Sequence, residues 1–325
     1  MSVLLFAESI NGKFKKSTLE AATYAADLAA KMGTTAIALA DAGLSADELA
    51  GIGKTGIKKV VTVAHANLAH FDAKAYSYVM DETAKTVGAT VLIFSYNLTG
   101  KATAPRVAAH LKAGLVAGAV ELPDTSSGFV VKKGVFSGKA FAHVAVNSAI
   151  KVVAITPNSY KITTGEGSAE VEALTLTIPD NQFSVKVKEE IRATGKIPLT
   201  EAELVVSAGR GLKGPENWGM IEEMATILGA ATACSRAVAD VHWRPHEEHV
   251  GQTGLTIRPN LYVAVGISGA IQHLAGVNQS KTIVVINTDK EAPFFKAADY
   301  GIIGDAFEVV PKLNEALKKF KSAHH

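Results

Sequence analysis

Residues 261–276 read Leu-Tyr-Val-Ala-Val-Gly-Ile-Ser-Gly-Ala-Ile-Gln-His-Leu-Ala-Gly, and the changes of texture along them decide the fold class. Leu261–Val265 is a continuous apolar run of strand length, the mark of a strand covered on both faces. Gly266 gives a sharp turn, and Ser268 is the expected N-cap of a helix. The backbone donors of Gly269, Ala270 and Ile271 are then expected to face whatever lies above the sheet, where the helix dipole favours an anion. Gln272 and His273 follow in the first turns, within reach of the same region. Taken alone, the segment leaves a second account of His273: a partly buried imidazole hydrogen-bonded to backbone in a capped helix.

The alternation extends outward. Leu204–Val206 and Thr282–Ile286 read as further strands, and Trp218, Ile221, Met224, Ala225 and Leu228 mark one helix face. Pro311, suited to a first turn, is expected to open a last helix with Leu313, Ala316, Leu317 and Phe320 on one side. In the first half, Val3–Ala7, Ala36–Ala40, Val60–Ala64 and Val91–Phe94 read as strands between helices, and Ser17-Thr-Leu-Glu20 reads as a capping box. Beyond Val116, shorter β-branched segments (Gly128–Lys133, His143–Val146, Val152–Ile155, Leu174–Ile178, Ser184–Val187) are expected to be strands with few helices between them, as at a mixed sheet edge. The fold class is therefore α/β, in two domains, each a mainly parallel sheet with helices on both faces. The expected boundaries are residues 1–190, a linker at 191–202 marked by Gly195 and Pro198, and residues 203–325.

Composition agrees. A chain of 325 residues has length for about two domains, and its net charge of +2 is spread without a basic stripe, which argues against nucleic-acid binding. The single Cys234 excludes a disulfide framework and any multi-cysteine metal site, and fits a reducing compartment. Apolar runs such as Ala113–Val120 fall well short of the roughly 18 residues that span a bilayer. The chain begins directly in a strand-like run without a basic lead-in, so the expectation is a cytoplasmic protein with no membrane insertion.

Three segments imitate phosphate loops. Gly53-Lys54-Thr55 has Glu48 where a Walker A loop needs glycine and lies between a helix and a strand, the reverse of a P-loop, so it reads as a turn. Ser95–Lys101 follows a strand but has Ser95 for the first glycine and Ala102 for the metal-binding hydroxyl, so it reads as an ordinary connection. Gly209-Arg-Gly211-Leu-Lys-Gly214 is a formal G-x-G-x-x-G after a strand. Arg210 inside the turn, Pro215 after the last glycine, and Ser235-Arg236 where an acid would follow the next strand weaken it as a nicotinamide fingerprint. Its expected role is a phosphate-facing loop. Val250-Gly-Gln-Thr-Gly254, Asn287-Thr-Asp289 and Asp305 add polar clusters at strand ends, where open α/β sheets bind ligands. The same edge offers no metal cluster, no Cys–His pair and no carboxylate pair. It suits holding a nucleotide more than transforming a substrate.

These residues carry a resemblance. Residues 203–317, through Ser207-Ala-Gly-Arg-Gly-Leu212, Ser235-Arg236, Val250-Gly-Gln-Thr-Gly254, Tyr262 to Gly276, Asn287-x-Asp289 and Ala298-Asp-Tyr-Gly301, closely resemble electron-transfer flavoprotein alpha subunits. The first half agrees in layout, including Pro105-Arg-Val-Ala-Ala109, and one small departure is Val285 where relatives often carry Ala. The resemblance implies a Rossmann-like C-terminal domain holding one non-covalent FAD, a heterodimer with a beta subunit, and AMP in that partner. It implies an electron carrier, not an enzyme, that accepts electrons from acyl-CoA and related dehydrogenases and delivers them to a membrane quinone oxidoreductase. It assigns FAD contacts to Arg210, Ser235, Arg236, Val250, Gly251, Gln252, Thr253, Ser268, Gly269, Ala270, Ile271, Gln272, His273, Asn287 and Asp305. Arg236, Gln252, Thr253 and His273 would surround the isoalloxazine ring. Ser268 and the amides after it would hold phosphate and ribityl groups, and Asn287 and Asp305 would lie toward the adenosine end. Physical chemistry agrees, because a guanidinium and an imidazole donor beside a flavin favour its reduced forms.

Two alternatives from other classes stay open at this level. One is an NAD(P)-dependent dehydrogenase using Gly209–Gly214 as its fingerprint and Arg236 for a 2′-phosphate. The other is a non-redox nucleotide-binding module.

Overall fold

The computed structural model describes residues 1–189 and 197–323. It divides into two compact units, Met1–Val135 with Phe141–Ile191, and Phe136–Ala140 with Arg192–His325. Of the expected linker at 191–202, residues 191–196 lie outside the described residues, while Leu199 and Ala202 are buried in the core of the second unit. No helix among the described residues is long and apolar enough to cross a membrane.

The first unit runs β1 (Ser2–Ala7), a short antiparallel hairpin of β2 (Ser9–Ile10) and β3 (Lys13–Phe14), α1 (Lys16–Lys31), β4 (Thr35–Asp41), α2 (Ala46–Gly51), β5 (Lys59–Val63), α3 (Ala73–Thr86), β6 (Ala89–Ser95) and α4 (Leu98–His110). β7 (Gly114–Ala119), β8 (Val130–Val135), β9 (Ala140–Ala145), β10 (Lys151–Ile155) and β11 (Glu170–Ala173) follow. They form one sheet in the order β11-β5-β4-β1-β6-β10-β7-β8-β9. Pairing is parallel from β11 to β7, and β8 joins antiparallel, which gives the mixed edge expected beyond Val116. Successive β1 residues serve opposite faces: Val3 and Leu5 pack with Tyr24 and Leu28 of α1, and Leu4 and Phe6 with Val79, Met80 and Val107 of α3 and α4. Each such fully buried side chain contributes about 1.5–3 kcal/mol by leaving water.

Local expectations fail in three places here. Leu174–Ile178 and Ser184–Val187 are not strands. Leu174 and Leu176 instead lie against the core, and Ser184 and Val185 give their amides to the Asp72 carboxylate at 2.6 and 2.9 Å. Nor is Ser17–Glu20 a capping box, because α1 begins at Lys16, and Glu20 Oε2 accepts from the Asn158 amide at 2.7 Å. Gly53 is a packing glycine, since a Cβ there would lie 2.3 Å from the Ala169 nitrogen. At the β1/β6 switch point the crevice is filled by the chain itself. The buried Glu8 carboxylate accepts from Asn97 Nδ2 and Lys15 Nζ, both at 2.8 Å.

The second unit runs β12 (Leu204–Ala208), α5 (Gly219–Leu228), β13 (Ala231–Cys234), α6 (Arg236–Ala239), β14 (Leu261–Val265), α7 (Ile271–Val277), β15 (Thr282–Asn287), β16 (Tyr300–Ile303) and α8 (Ala306–Ala323). Its sheet has five strands in the order β13-β12-β14-β15-β16, all parallel. One face packs Trp218, Ile221, Met224 and Val310 from the α5/α8 side, and the other Val250, Ile257, Val277 and Phe294. Counted within the unit the order is 2-1-3-4-5, the flavodoxin-like variant of a doubly wound sheet rather than the six-strand Rossmann order. Strand order reverses between β12 and β14, so the carboxyl ends of these two strands frame the ligand crevice.

Candidate functional site

The crevice wall is backbone. Gly209 N–H donates to Val265 O at 3.0 Å and Gly211 N–H to Gly266 O at 3.1 Å, so the loops after β12 and β14 are tied together. A Cβ on Gly209 would lie 2.4 Å from Gly266 O, and one on Gly211 would lie 2.6 Å from Gly266 Cα. Gly209 and Gly211 are therefore required by loop-to-loop packing. Lys213 then turns left-handed at φ +66°, and Pro215 opens a short 3-10 turn ahead of α5, so helix begins after Gly214.

The segment after β14 corrects the expected helix start. α7 begins at Ile271 with Ala270 in the capping position, and Ser268 does not cap it. The cause is Phe294. Its backbone and Cβ would lie 2.5–2.6 Å from a Cβ on Gly269, its amide donates to Ser268 O at 3.1 Å, and Gly269 adopts φ +81° to pass it. Ser268 to Ala270 thus form an arm in front of the helix, with Ser268, Ala270, Ile271 and Gln272 exposed and Gly269 buried. Amide donors of α7's first turn remain at Ile271 and Gln272, because His273 N–H and Leu274 N–H bond to Ala270 O.

His273 is buried at the base of this arm, 7% exposed, with Nε2 2.8 Å from the Tyr262 hydroxyl. Tyr262 is its side-chain partner, and a backbone interaction with Val250, which favours the protonated ring, keeps part of the backbone account. Its Nδ1 is buried and makes no hydrogen bond within 3.5 Å. Burial, and then the neighbouring His249 imidazole, push its pKa down to about 4, so the ring is neutral at pH 7. The Val250–Gly254 loop packs beside it: Val250 N–H donates to Cys234 O at 3.1 Å, extending the β13 end, and Gln252 N–H donates to Gln272 O at 2.7 Å. Val250 and Gly251 are buried, while Gln252 and Thr253 present their side chains to solvent. Cys234 is a buried thiol pushed up to about 12, chiefly by burial, and is no nucleophile at neutral pH.

Around this centre the rim is polar. Arg210 is exposed on the loop after β12. Ser235 is half-buried after β13, and the neighbouring Arg236 is 66% exposed and reaches Asp240 at 3.3 Å. Asn287 and Asp305 have local employment: Asn287 donates to Ile267 O at 3.0 Å and accepts from Asp289 N–H at 3.0 Å, and Asp305 Oδ1 accepts from Phe307 N–H at 3.0 Å. Asp305 thereby caps α8, which starts at Ala306, so Pro311 lies inside that helix instead of opening it. Tyr262 was read only as part of the resemblance and given no role, and His249 and Phe294 went unread in the sequence. Tyr262 occupies a strand position facing α7, and the alternation along Leu261–Val265 was the available signal for that. Nothing local announced Phe294.

The second unit is thus a doubly wound parallel α/β fold with a glycine-walled switch point, a buried imidazole at its base and a polar rim. Residues 198–278 match the electron transfer flavoprotein FAD-binding domain, and residues 3–179 the electron transfer flavoprotein domain. The chain is 39% identical over 269 residues to the electron transfer flavoprotein subunit alpha of Bacillus subtilis, covering 81% of this chain and 82% of that one. It is 35% identical over 317 residues to the alpha subunit of Syntrophomonas wolfei, covering 97% and 98%. It is 36% identical over 320 residues to that of Pseudomonas aeruginosa, covering 98% and 100%. The chain belongs to the electron transfer flavoprotein family and aligns with its alpha subunits.

Proposed function

We propose that this chain holds one FAD non-covalently in its second unit and works as the alpha half of an electron-carrying heterodimer, with AMP in the beta subunit. When bound, FAD supplies a ring that takes up and gives back electrons. The exposed arm Ser268–Ile271 offers backbone donors for phosphate and ribityl oxygens. His273, Arg236, Gln252 and Thr253 surround the ring, and Arg210 and Ser235 line the approach. Val250, Gly251 and Gly269 shape the pocket floor. Gln272 fixes the loop through its carbonyl, and Asn287 and Asp305 hold the rim at the adenosine end. The donors would be acyl-CoA and related dehydrogenases, and the acceptor a membrane quinone oxidoreductase.

The observation that supports this best is His273 Nδ1, a buried polar atom with no hydrogen bond within 3.5 Å and only the Val250 backbone acting on its ring, beside the exposed backbone of Ser268 and Ala270. Such an atom costs about 1–3 kcal/mol unless something bonds it, and a flavin carbonyl edge fits that need. Of the buried titratable groups here, His273 stays neutral and Cys234 stays protonated at pH 7. The nicotinamide alternative loses its fingerprint, because Gly209 and Gly211 are spent on Gly266. Co-expression with the beta subunit, purification and identification of the released nucleotides tests the proposal. A yellow complex releasing FAD and AMP is expected, and a colourless one releasing a nicotinamide nucleotide would overturn it.

A further inference from the structure

The buried pair behind the ring-facing group supports one step more. Tyr262 and His273 come from different elements, β14 and α7, and meet with Oη and Nε2 2.8 Å apart. Tyr262 is fully buried on an interior strand, in register with Val205 and Ile283 on its two neighbours, so its backbone cannot yield. Phe294 packs on both rings, stacked on Tyr262 at a centroid distance of 6.2 Å and edge-on to His273 at 5.7 Å. The imidazole is therefore held at one angle.

A neutral imidazole carries one N–H, and its position decides what the ring offers a ligand. Burial raises the Tyr262 hydroxyl above its ordinary value and keeps it protonated. Were Nε2–H to donate to Oη, the phenol proton would have to go to the buried Ser207 hydroxyl, and Nδ1 would be left a bare lone pair although the Val250 backbone favours a proton on the ring. Donation from Oη to Nε2 satisfies both atoms in one bond and leaves the ring proton on Nδ1. We infer that Tyr262 is a positioning residue: its hydroxyl donates to His273 Nε2, fixes the tautomer with hydrogen on Nδ1, and so makes His273 a donor to the flavin. The inference rests on the FAD proposal above.

The experiment uses the flavin-loaded heterodimer, labelled with 15N-histidine, and reads the tautomer from two-bond proton–nitrogen correlations. A single His273 species protonated on Nδ1 is expected in the wild type, and one protonated on Nε2 would overturn the inference. Tyr262→Phe keeps the ring stack and removes the donor. It should give a mixed or reversed tautomer and a lower flavin potential. That drop should vanish when Tyr262→Phe is made in a His273→Gln background, and an equal drop in both backgrounds would assign Tyr262 a packing role and overturn the inference. A heterodimer that purifies without flavin overturns the FAD proposal together with this one. A flavin-loaded heterodimer with His273 protonated on Nε2 overturns this one alone.

Discussion

Gly211 and Gly266 meet backbone to backbone at the switch point, with the Gly211 amide on the Gly266 carbonyl at 3.1 Å and no room for a Cβ on either residue. The pairing explains why a dinucleotide-like glycine pattern stands here without the acid that completes it. The glycines answer to each other.

Gly211→Ala should therefore push the two loops apart. Overpacking of this kind costs about 1–3 kcal/mol, and the displaced wall should also lower FAD occupancy. Thermal unfolding and flavin absorbance of the purified complex check this. Wild-type stability with full occupancy would show that the loops have slack.

Arg236 and Asp240 form a mostly exposed pair one helical turn apart, so the guanidinium beside the proposed ring position is partly neutralised by its own neighbour. Arg236→Ala should lower the flavin potential by on the order of tens of millivolts, the scale of a charge-assisted hydrogen bond. Asp240→Asn should move it the opposite way and less. Spectroelectrochemical titration giving shifts of the same sign for both would place Arg236 away from the ring.

His273 titrates near 4 when folded against an ordinary value of 6.5. Its contribution is complete above pH 6.5 and is lost as the pH falls toward 4, because only the unfolded chain takes up the proton in that window. The loss amounts to at most about 3 kcal/mol. In flavin-stripped protein, His273→Gln should flatten the stability profile between pH 6.5 and 4. Superimposable profiles would mean that the imidazole is solvated.

Asp72 caps α3 through the Lys74 amide at 2.9 Å and also holds Ser184 and Val185. Burial raises its carboxyl, but the Ser184, Lys74 and Val185 amides outweigh burial and hold it below the usual range. Its stabilisation is thus present near neutrality and is lost at acid pH, as the carboxyl protonates. Asp72→Ala should cost about 1–3 kcal/mol and speed proteolysis around Ser184. An unchanged cleavage pattern would mean that the segment is held by Phe183 and its apolar contacts.

The fold was legible because its signals are local: apolar runs for covered strands, glycine turns after them, and polar residues at strand ends. What misled was decided from a distance. Ser268 looks like an N-cap until Phe294, on the far side of β15, displaces the helix start to Ile271. Ser184–Val187 has strand-like residues, but the Asp72 carboxylate takes two of its amides before a ladder can. Asn287 and Asp305 could have been read better, since each accepts from an amide two residues on, a common habit of Asn and Asp. Of the candidate residues named from the sequence, the structure brings the 250–254 loop and the start of α7 together, with Gln252 N–H on Gln272 O. The pairing of Tyr262 with His273 was not legible, because it joins a strand position to a helix position across a turn whose geometry the letters leave open.

The Val250–Leu255 loop is laced to α7. Gln252 N–H bonds Gln272 O at 2.7 Å, Ile257 N–H bonds Gly276 O at 2.9 Å, and Gly276 lies so close that a Cβ would come within 2.5 Å of the Gly251 nitrogen. Loop and helix consequently form one mechanical body, like a lever with its handle in solvent and its short arm in the core. Displacing the exposed Thr253 end therefore requires either carrying α7 along or breaking these hydrogen bonds.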